Sequence, residues 1–223
     1  MFKTELHCHS NSVSECARVS NNDIIEKFTG AGYTTLVLAN HFNKGTMRYL
    51  KCETYDEFVT KYIDGYNSLK NDAKGILNVL LGLELRFSQN INDYLLFGAT
   101  EAFLRSVPDI FDMGVESFHK IASENGCLLI QAHPFRNGMT VTRPDMIDGV
   151  EVFNGHFGHD SRNDIANMWA DKFSLIKTSG TDFHYKEVPA NAGIYTENEI
   201  TSMDMLVDIL KNGKYTLVNE VNK

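Results

Sequence analysis

The chain has 223 residues, 43% of them hydrophobic and 22% charged, with a formal net charge of −8. That balance belongs to a globular protein with a full core and excludes the disordered class; one domain over residues 1–223 is expected. Acidic residues are spread through the chain without a dense Lys/Arg cluster, so nucleic acid is not expected as a partner.

A first strand is predicted at "FKTELH", which runs into His7, Cys8 and His9. Alternate residues of a strand share a side, so His7 and His9 converge while Cys8 faces away. A helical segment, "NNDIIEKFTGAG", leads to a second strand, "TTLVLANH", and the longer "TYDEFVTKYIDGYNSLKNDAKG" leads to a third, "LNVLLGLELRF". The run "DYLLFGAT" follows, then the helix "GVESFHKIASENG", the strands "CLLIQAHP" and "GVEVFN", the helix "SRNDIANMWADK" and the seventh strand "FSLIKTSGTD". A last helix, "TSMDMLVDILKNGK", precedes a short "YTLV". Asn, Ser or Thr opens several helices and Gly closes them. Strand and helix alternate, which predicts a mostly parallel sheet with crossover helices, closed or nearly closed as a barrel.

No apolar run approaches the roughly 18 residues of a membrane span. Four cysteines without a CxxC pair, and an N-terminus interrupted by Lys3, Glu5 and His7, lead to the expectation of reduced thiols in the cytoplasm.

The residues that end the strands carry the chemistry. The first run ends in His7 and His9, the second in His41, the third in Glu84, the fifth in His133, the sixth in Asn154, and the seventh leads into Asp182 and His184. Parallel α/β folds bind ligands at the carboxyl ends of their strands. Mixed His and carboxylate donors suit zinc, manganese or iron. A glutamate can bridge two ions, and paired ions favour hydrolysis, here expected at phosphorus. No GxxxxGK[ST] loop and no GxSxG elbow compete with that reading.

The motifs "HCHS", "ANH", "GLELRF", "QAHPF", "GVEVFNGH" and "SGTDFH", in this order between Thr4 and Ala190, resemble the polymerase and histidinol phosphatase (PHP) family. The resemblance implies an α/β fold, a distorted seven-stranded (β/α) barrel with its metal site at the C-terminal ends of the strands. It implies two or three divalent ions and hydrolysis of phosphate esters, with His7, His9, Glu84 and Asp182 as catalytic residues. One ion would take His7, His9, Asp182 and the bridging Glu84, a second Glu84 and His133, and a third Glu15, His41 and His184. Many members place a His before the strand that follows the bridging Glu. Here the chain reads "NINDYLLFG", where Asp93, or less directly Asn92, replaces it unless Asp93 is a surface residue opening its strand.

Around this set, Arg136 and Arg18 are candidates to bind a substrate phosphate, as is Lys44; each is otherwise a solvated loop cation. His156 or His159 could donate a proton to a leaving group, and Asn154 orients the loop or a water. His119 is expected to be structural, and Cys8 to pack behind the site. The expected activity is hydrolysis of a small phosphate monoester by a metal-bridging hydroxide. A phosphodiesterase or protein tyrosine phosphatase of the same fold, and a noncatalytic metal-binding module, are the alternatives.

Overall fold

The computed structural model describes residues 1–220. Every strand run expected from the sequence forms. They are β1 (Phe2–Cys8), β2 (Tyr33–Leu38) with the short β3 (His41–Phe42), β4 (Asn78–Leu81) with β5 (Leu83–Arg86), β6 (Asp93–Phe97), β7 (Leu128–Gln131), β8 (Gly149–Asn154) and β9 (Ile176–Gly180). Two more, β10 (Ala192–Thr196) and β11 (Thr216–Asn219), extend the sheet beyond β1. The strand at β10 was not expected, because Gly193 and a flanking Pro/Asn-rich segment mask its short apolar run.

The helices expected from the sequence are α1 (Asn21–Gly30), α3 (Tyr55–Asp72), α6 (Val115–Glu124), α7 (Asn163–Phe173) and α8 (Met203–Asn212). Between them lie the short α2 (Lys44–Tyr49), α4 (Glu101–Ser106) and α5 (Ile110–Met113). Ser20 caps α1 and shares a reciprocal pair of bonds with Asp23; Thr54 caps α3 and Ser202 caps α8. No helix among the described residues is long and apolar enough to cross a membrane.

The strands form two sheets, ordered β11-β10-β1-β2-β4 and β3-β5-β6-β7-β8-β9, rather than one closed seven-stranded barrel. Nor are they mostly parallel throughout: β6 runs antiparallel to both β5 and β7, and β10 to both β1 and β11. The reversal of β6 has a functional result. Its first residue, Asp93, pairs in register with Arg86 at the end of β5, so both stand at the same mouth.

The sheets meet at two seams. At the first, Gly82 N–H donates to Leu38 O (3.0 Å) and Glu84 N–H to Asn40 O (2.9 Å), while the Tyr62 hydroxyl lies 2.8 Å from Asn40 O and 3.0 Å from Gly82 O. At the second, β1 and the segment after β9 share one bridge, Cys8 to Phe183, through His9 N–H to Phe183 O (3.1 Å) and Phe183 N–H to His7 O (3.2 Å). A longer ladder cannot form there, because the chain turns at Asp182, which has φ +51°.

Strands β1, β6 and β7 are buried along almost their whole length, as expected of strands covered on both faces. Three apolar clusters fill the interior, the largest built around Phe42, Phe58, Tyr62, Tyr94 and Phe118. Gly180, the last residue of β9, touches the back of the site: a Cβ there would lie 2.3 Å from His7 Cβ and 2.7 Å from Glu151 Oε1. Gly180→Ala is therefore expected to destabilise the fold by about 1–3 kcal/mol through overpacking. The check is the midpoint of denaturant unfolding, and an unchanged midpoint would show that β9 yields without cost.

Candidate metal centre

Five imidazoles and two carboxylates converge at the carboxyl ends of the strands. Glu84, on β5, is at the centre. Its Oε1 lies 3.1 Å from His133 Nε2 and 3.4 Å from His7 Nε2, and its Oε2 lies 2.7 Å from His41 Nδ1 and 3.4 Å from His9 Nε2. Asp182 faces it, with Oδ1 3.5 Å from His7 Nε2, 3.4 Å from His9 Nε2 and 3.2 Å from His184 Nδ1. Both His133 (φ +30°) and Asp182 have left-handed backbones. Strain of this kind collects where a site needs a side chain aimed against local preference.

Polar residues behind the cluster fix which nitrogen faces it. Ser10 N–H donates to Asn40 Oδ1 and Asn40 Nδ2 donates to Ser10 Oγ, which sets the amide's orientation. Ser14 Oγ gives its hydrogen to Asn40 Oδ1 (2.9 Å) and accepts from His41 N–H (3.0 Å). Its remaining contact, His9 Nδ1 at 3.2 Å, must then be a donor, so His9 turns the lone pair of Nε2 toward Glu84 and Asp182. Glu151 acts likewise on His7: Oε1 accepts from Nδ1 at 2.9 Å, while Oε2 accepts from His133 N–H and Asn154 Nδ2. Glu5 Oε1 accepts from His7 N–H and Thr181 N–H, which ties β1 to the turn that carries Asp182.

The cluster fits a divalent ion. His7 Nε2, His9 Nε2 and Glu84 Oε2 are buried without a hydrogen-bond partner, and His41 Nδ1 stands close to Glu84 without forming one. Buried polar atoms are normally paired, and here the orphans face one another. The ligand atoms of His7, His9 and Glu84 lie within 4.8 Å of one another, as do those of His9, His41 and His184, and those of His41, Glu84 and Asp93. Imidazole and carboxylate together form the donor set of zinc, iron or manganese.

Charge in the cluster is strongly coupled. Burial pushes Glu84 up, but the His41 and His7 charges outweigh it and hold the carboxyl well below its usual range. Burial also opposes charge on His7, His41 and His184, yet neighbouring carboxylates raise all three, His184 to about 10. His9 falls well below its usual value through burial and the nearby His184. Glu5, buried behind the cluster, is pushed up to about 8 by burial.

The remaining expected residues fall into place unevenly. A cavity of about 220 Å³ opens over the cluster and is lined by Arg86, Arg136, His156, His159 and Tyr185 as well as by the cluster itself. Asp93 is buried rather than on the surface, and Arg86 grips it with Nε and Nη2, both at 2.7 Å. Asn92 bonds instead to Thr140. Asn154 donates to Glu151 and, at 3.3 Å, to Asp182 Oδ2, so it orients carboxylates from behind. His156 is lowered to about 4, first by burial, and its ring stacks on that of His159. His159 Nε2 lies 3.5 Å from Asp182 Oδ2.

Three candidates lie apart from the cluster. Glu15 is exposed and belongs to none of the groups of close ligand atoms; it lines a neighbouring cavity with Cys16, Arg18 and His41. Arg18 lies outside the cavity over the cluster, with its guanidinium on Glu15 O. Lys44 is paired with Asp112 on the surface at 2.6 Å. A larger cavity of about 530 Å³, near Tyr195 and Tyr215, holds none of these donors.

Sequence reasoning overlooked Glu151, Glu5 and Cys16. Glu151 had a signal, a lone carboxylate inside the otherwise apolar run of β8. Burial pushes the Cys16 thiol up, but the neighbouring His184 and His41 imidazoles outweigh it and bring it down to about 6. His119 lies away from the cluster beside Asp148, and Cys8 is buried behind it, both as expected.

No protein-family model matches the sequence, and no curated protein matches it either. Solved structures do. A two-domain protein from Bacteroides vulgatus, described as containing a "predicted PHP-like metal-dependent phosphoesterase", aligns with TM-score 0.69 and 13% identity over 98% of this chain. The lesion-specific Endonuclease Q from Pyrococcus furiosus aligns with TM-score 0.62 and 16% identity over 97%. Endonuclease Q in complex with a 27-mer duplex bearing an abasic lesion at its active site gives TM-score 0.59 and 14% identity over 95%. The chain spans 64%, 57% and 56% of these proteins' own lengths.

The fold is therefore a PHP-like α/β fold, as the motifs led one to expect. The same comparison overturns the expectation that nucleic acid is not a partner, because a protein of this fold holds a DNA duplex. Net charge over the whole surface does not decide the question, because a ligand meets the local field, and Arg86 and Arg136 line the cavity over the cluster.

Metal ligation requires neutral imidazoles, whereas the neighbouring carboxylates raise His7, His41 and His184 above the ordinary imidazole value and favour their protonated forms in the absence of metal. Loading is expected to release protons, and apparent affinity to rise with pH until His184 loses its proton near 10. Calorimetric titration of zinc in two buffers of different ionisation heat checks this; identical heats would rule it out.

Proposed function

We propose that this chain is a metal-dependent phosphoesterase of the PHP family that hydrolyses a small phosphate monoester. The observation that carries the reading is the group of buried, unpartnered ligand atoms around Glu84. Such a group is costly unless something fills it. The likeness to PHP-like structures supports the same choice.

In this reading His7, His9, Glu84 and Asp182 would hold one ion, Glu84 and His133 a second, and His41 and His184 a third. When bound, the ions supply a nucleophile from water near neutral pH and take up charge on phosphoryl oxygens. The protein's own groups do the rest. Glu151 and Ser14 keep His7 and His9 in the ligating tautomer. Arg136, at the rim of the cavity, binds the phosphate through its planar fork. His159 is placed to give a proton to the leaving oxygen. Asp93 supplies a carboxylate near His41 and Glu84, but it shares that charge with Arg86, which weakens it as a ligand.

The two seams support reading the sheets as parts of one distorted seven-stranded barrel, and the four free cysteines support a reducing, cytoplasmic setting. A nucleic-acid diester is the second reading, favoured by the likeness to Endonuclease Q.

The test is phosphate release from small monoesters, histidinol phosphate included, after metal loading, beside cleavage of a duplex containing an abasic site. Monoester turnover is expected, with Asp182→Ala losing both turnover and bound metal while staying folded. Cleavage of the duplex alone would establish the second reading. A folded Asp182→Ala variant with full activity would overturn the site.

A further inference from the structure

Glu84 and Arg86 are two residues apart on β5, so their side chains share one face of the strand. Leu85, between them, packs into the apolar core. The Arg86 guanidinium therefore stands on the side of the cluster. It lines the cavity over the cluster and also the neighbouring one, of about 380 Å³, that reaches Arg18 and Asn43.

The hairpin partner fixes this guanidinium. Asp93 is 1% exposed, and each of its oxygens accepts one hydrogen: Oδ1 from Nε and Oδ2 from Nη2, both at 2.7 Å. Contact of fork against fork holds the two groups in a single orientation. It leaves Arg86 Nη1 without a hydrogen-bond partner among the described residues. The Arg86 side chain keeps 36% of its surface exposed while that of Asp93 keeps 1%, so the charge is anchored at its buried end and open at the other. Arg136 has no such anchor. It follows His133 on a loop, where its backbone N–H donates to His133 O at 3.1 Å and its guanidinium has no hydrogen-bond partner among the described residues.

We propose that Arg86 binds and orients the substrate phosphoryl group beside Arg136, and that Asp93 is the positioning residue of Arg86 rather than a metal ligand. The inference rests on the phosphoesterase reading above. A guanidinium held in place before the substrate arrives loses little freedom when an anion binds, and it needs no rearrangement as charge gathers on the phosphoryl oxygens. Lysine at this position would keep the charge and lose the fork.

Inorganic phosphate is the probe, titrated calorimetrically into the zinc-loaded full chain after unbound zinc is removed, with the metal content of each variant measured. Arg86→Met is expected to weaken phosphate binding by about ten- to a hundredfold with bound metal unchanged. Arg86→Lys, which keeps Asp93 compensated if Arg86→Met does not fold, is expected to weaken it by about tenfold. Asp93→Asn should weaken it in the wild-type background but not in the Arg86→Met background, and should retain its metal. Unchanged affinity in a folded Arg86→Met or Arg86→Lys variant overturns the proposal, as does an Asp93→Asn variant that loses an ion or weakens both backgrounds alike; each leaves the phosphoesterase reading standing. A wild-type chain that takes up zinc but neither binds phosphate in the millimolar range nor releases it from monoesters overturns both.

Discussion

A buried carboxylate has to be compensated, and most of what distinguishes this molecule follows from how Glu84 is. Removed from water at 1% exposure, it would cost several kcal/mol if left alone. Four imidazoles from β1, the β2–β3 seam and the end of β7 surround it, and none can reach it unless strands far apart in sequence end at one place. The interrupted ladder at Asn40 and Gly82 serves this need: the backbone bond from Glu84 N–H to Asn40 O keeps His41 and Glu84 in register. The sheets part where the donors must be presented.

Much of this was legible. Strand runs show as apolar segments because most side chains of strands buried on both faces must be apolar, and the site shows as the polar residues that end them. Six of the expected ligands, His7, His9, His41, Glu84, His133 and Asp182, stand within contact of one another for that reason. His184 joins them through Asp182. Other features depend on details that spacing does not encode. Whether Glu15 or Cys16 faces inward is decided by one turn and its bonds to residues near Ser14 and His184. The direction of β6 depends on a hairpin whose loop contains no strong turn signal. Lys44 reads as a free cation until Asp112 is brought to it.

Composition misled where it was averaged. A net charge of −8 says little about a mouth that places Arg86 and Arg136 beside the His and carboxylate cluster. Arg86 also shows how one substitution alters a site's economy: in register with Asp93 across a hairpin, it neutralises a carboxylate that would otherwise face Glu84 at close range. The pair places a charge-compensated carboxylate where the family resemblance implies an imidazole.

The second seam has a consequence for how the molecule holds together over time. β1 meets the Asp182 turn through a single bridge, yet that contact joins the first residues of the chain to the far end of its sequence. Contacts of such long separation form late in folding, after the loop entropy between them has been spent. The β1–β10 ladder, from Phe2 with Thr196 to Thr4 with Ile194, is the other such tie, so the start of the chain is held to residues 183–196 at both ends of β1: by strand pairing at one and by the Asp182 turn at the other.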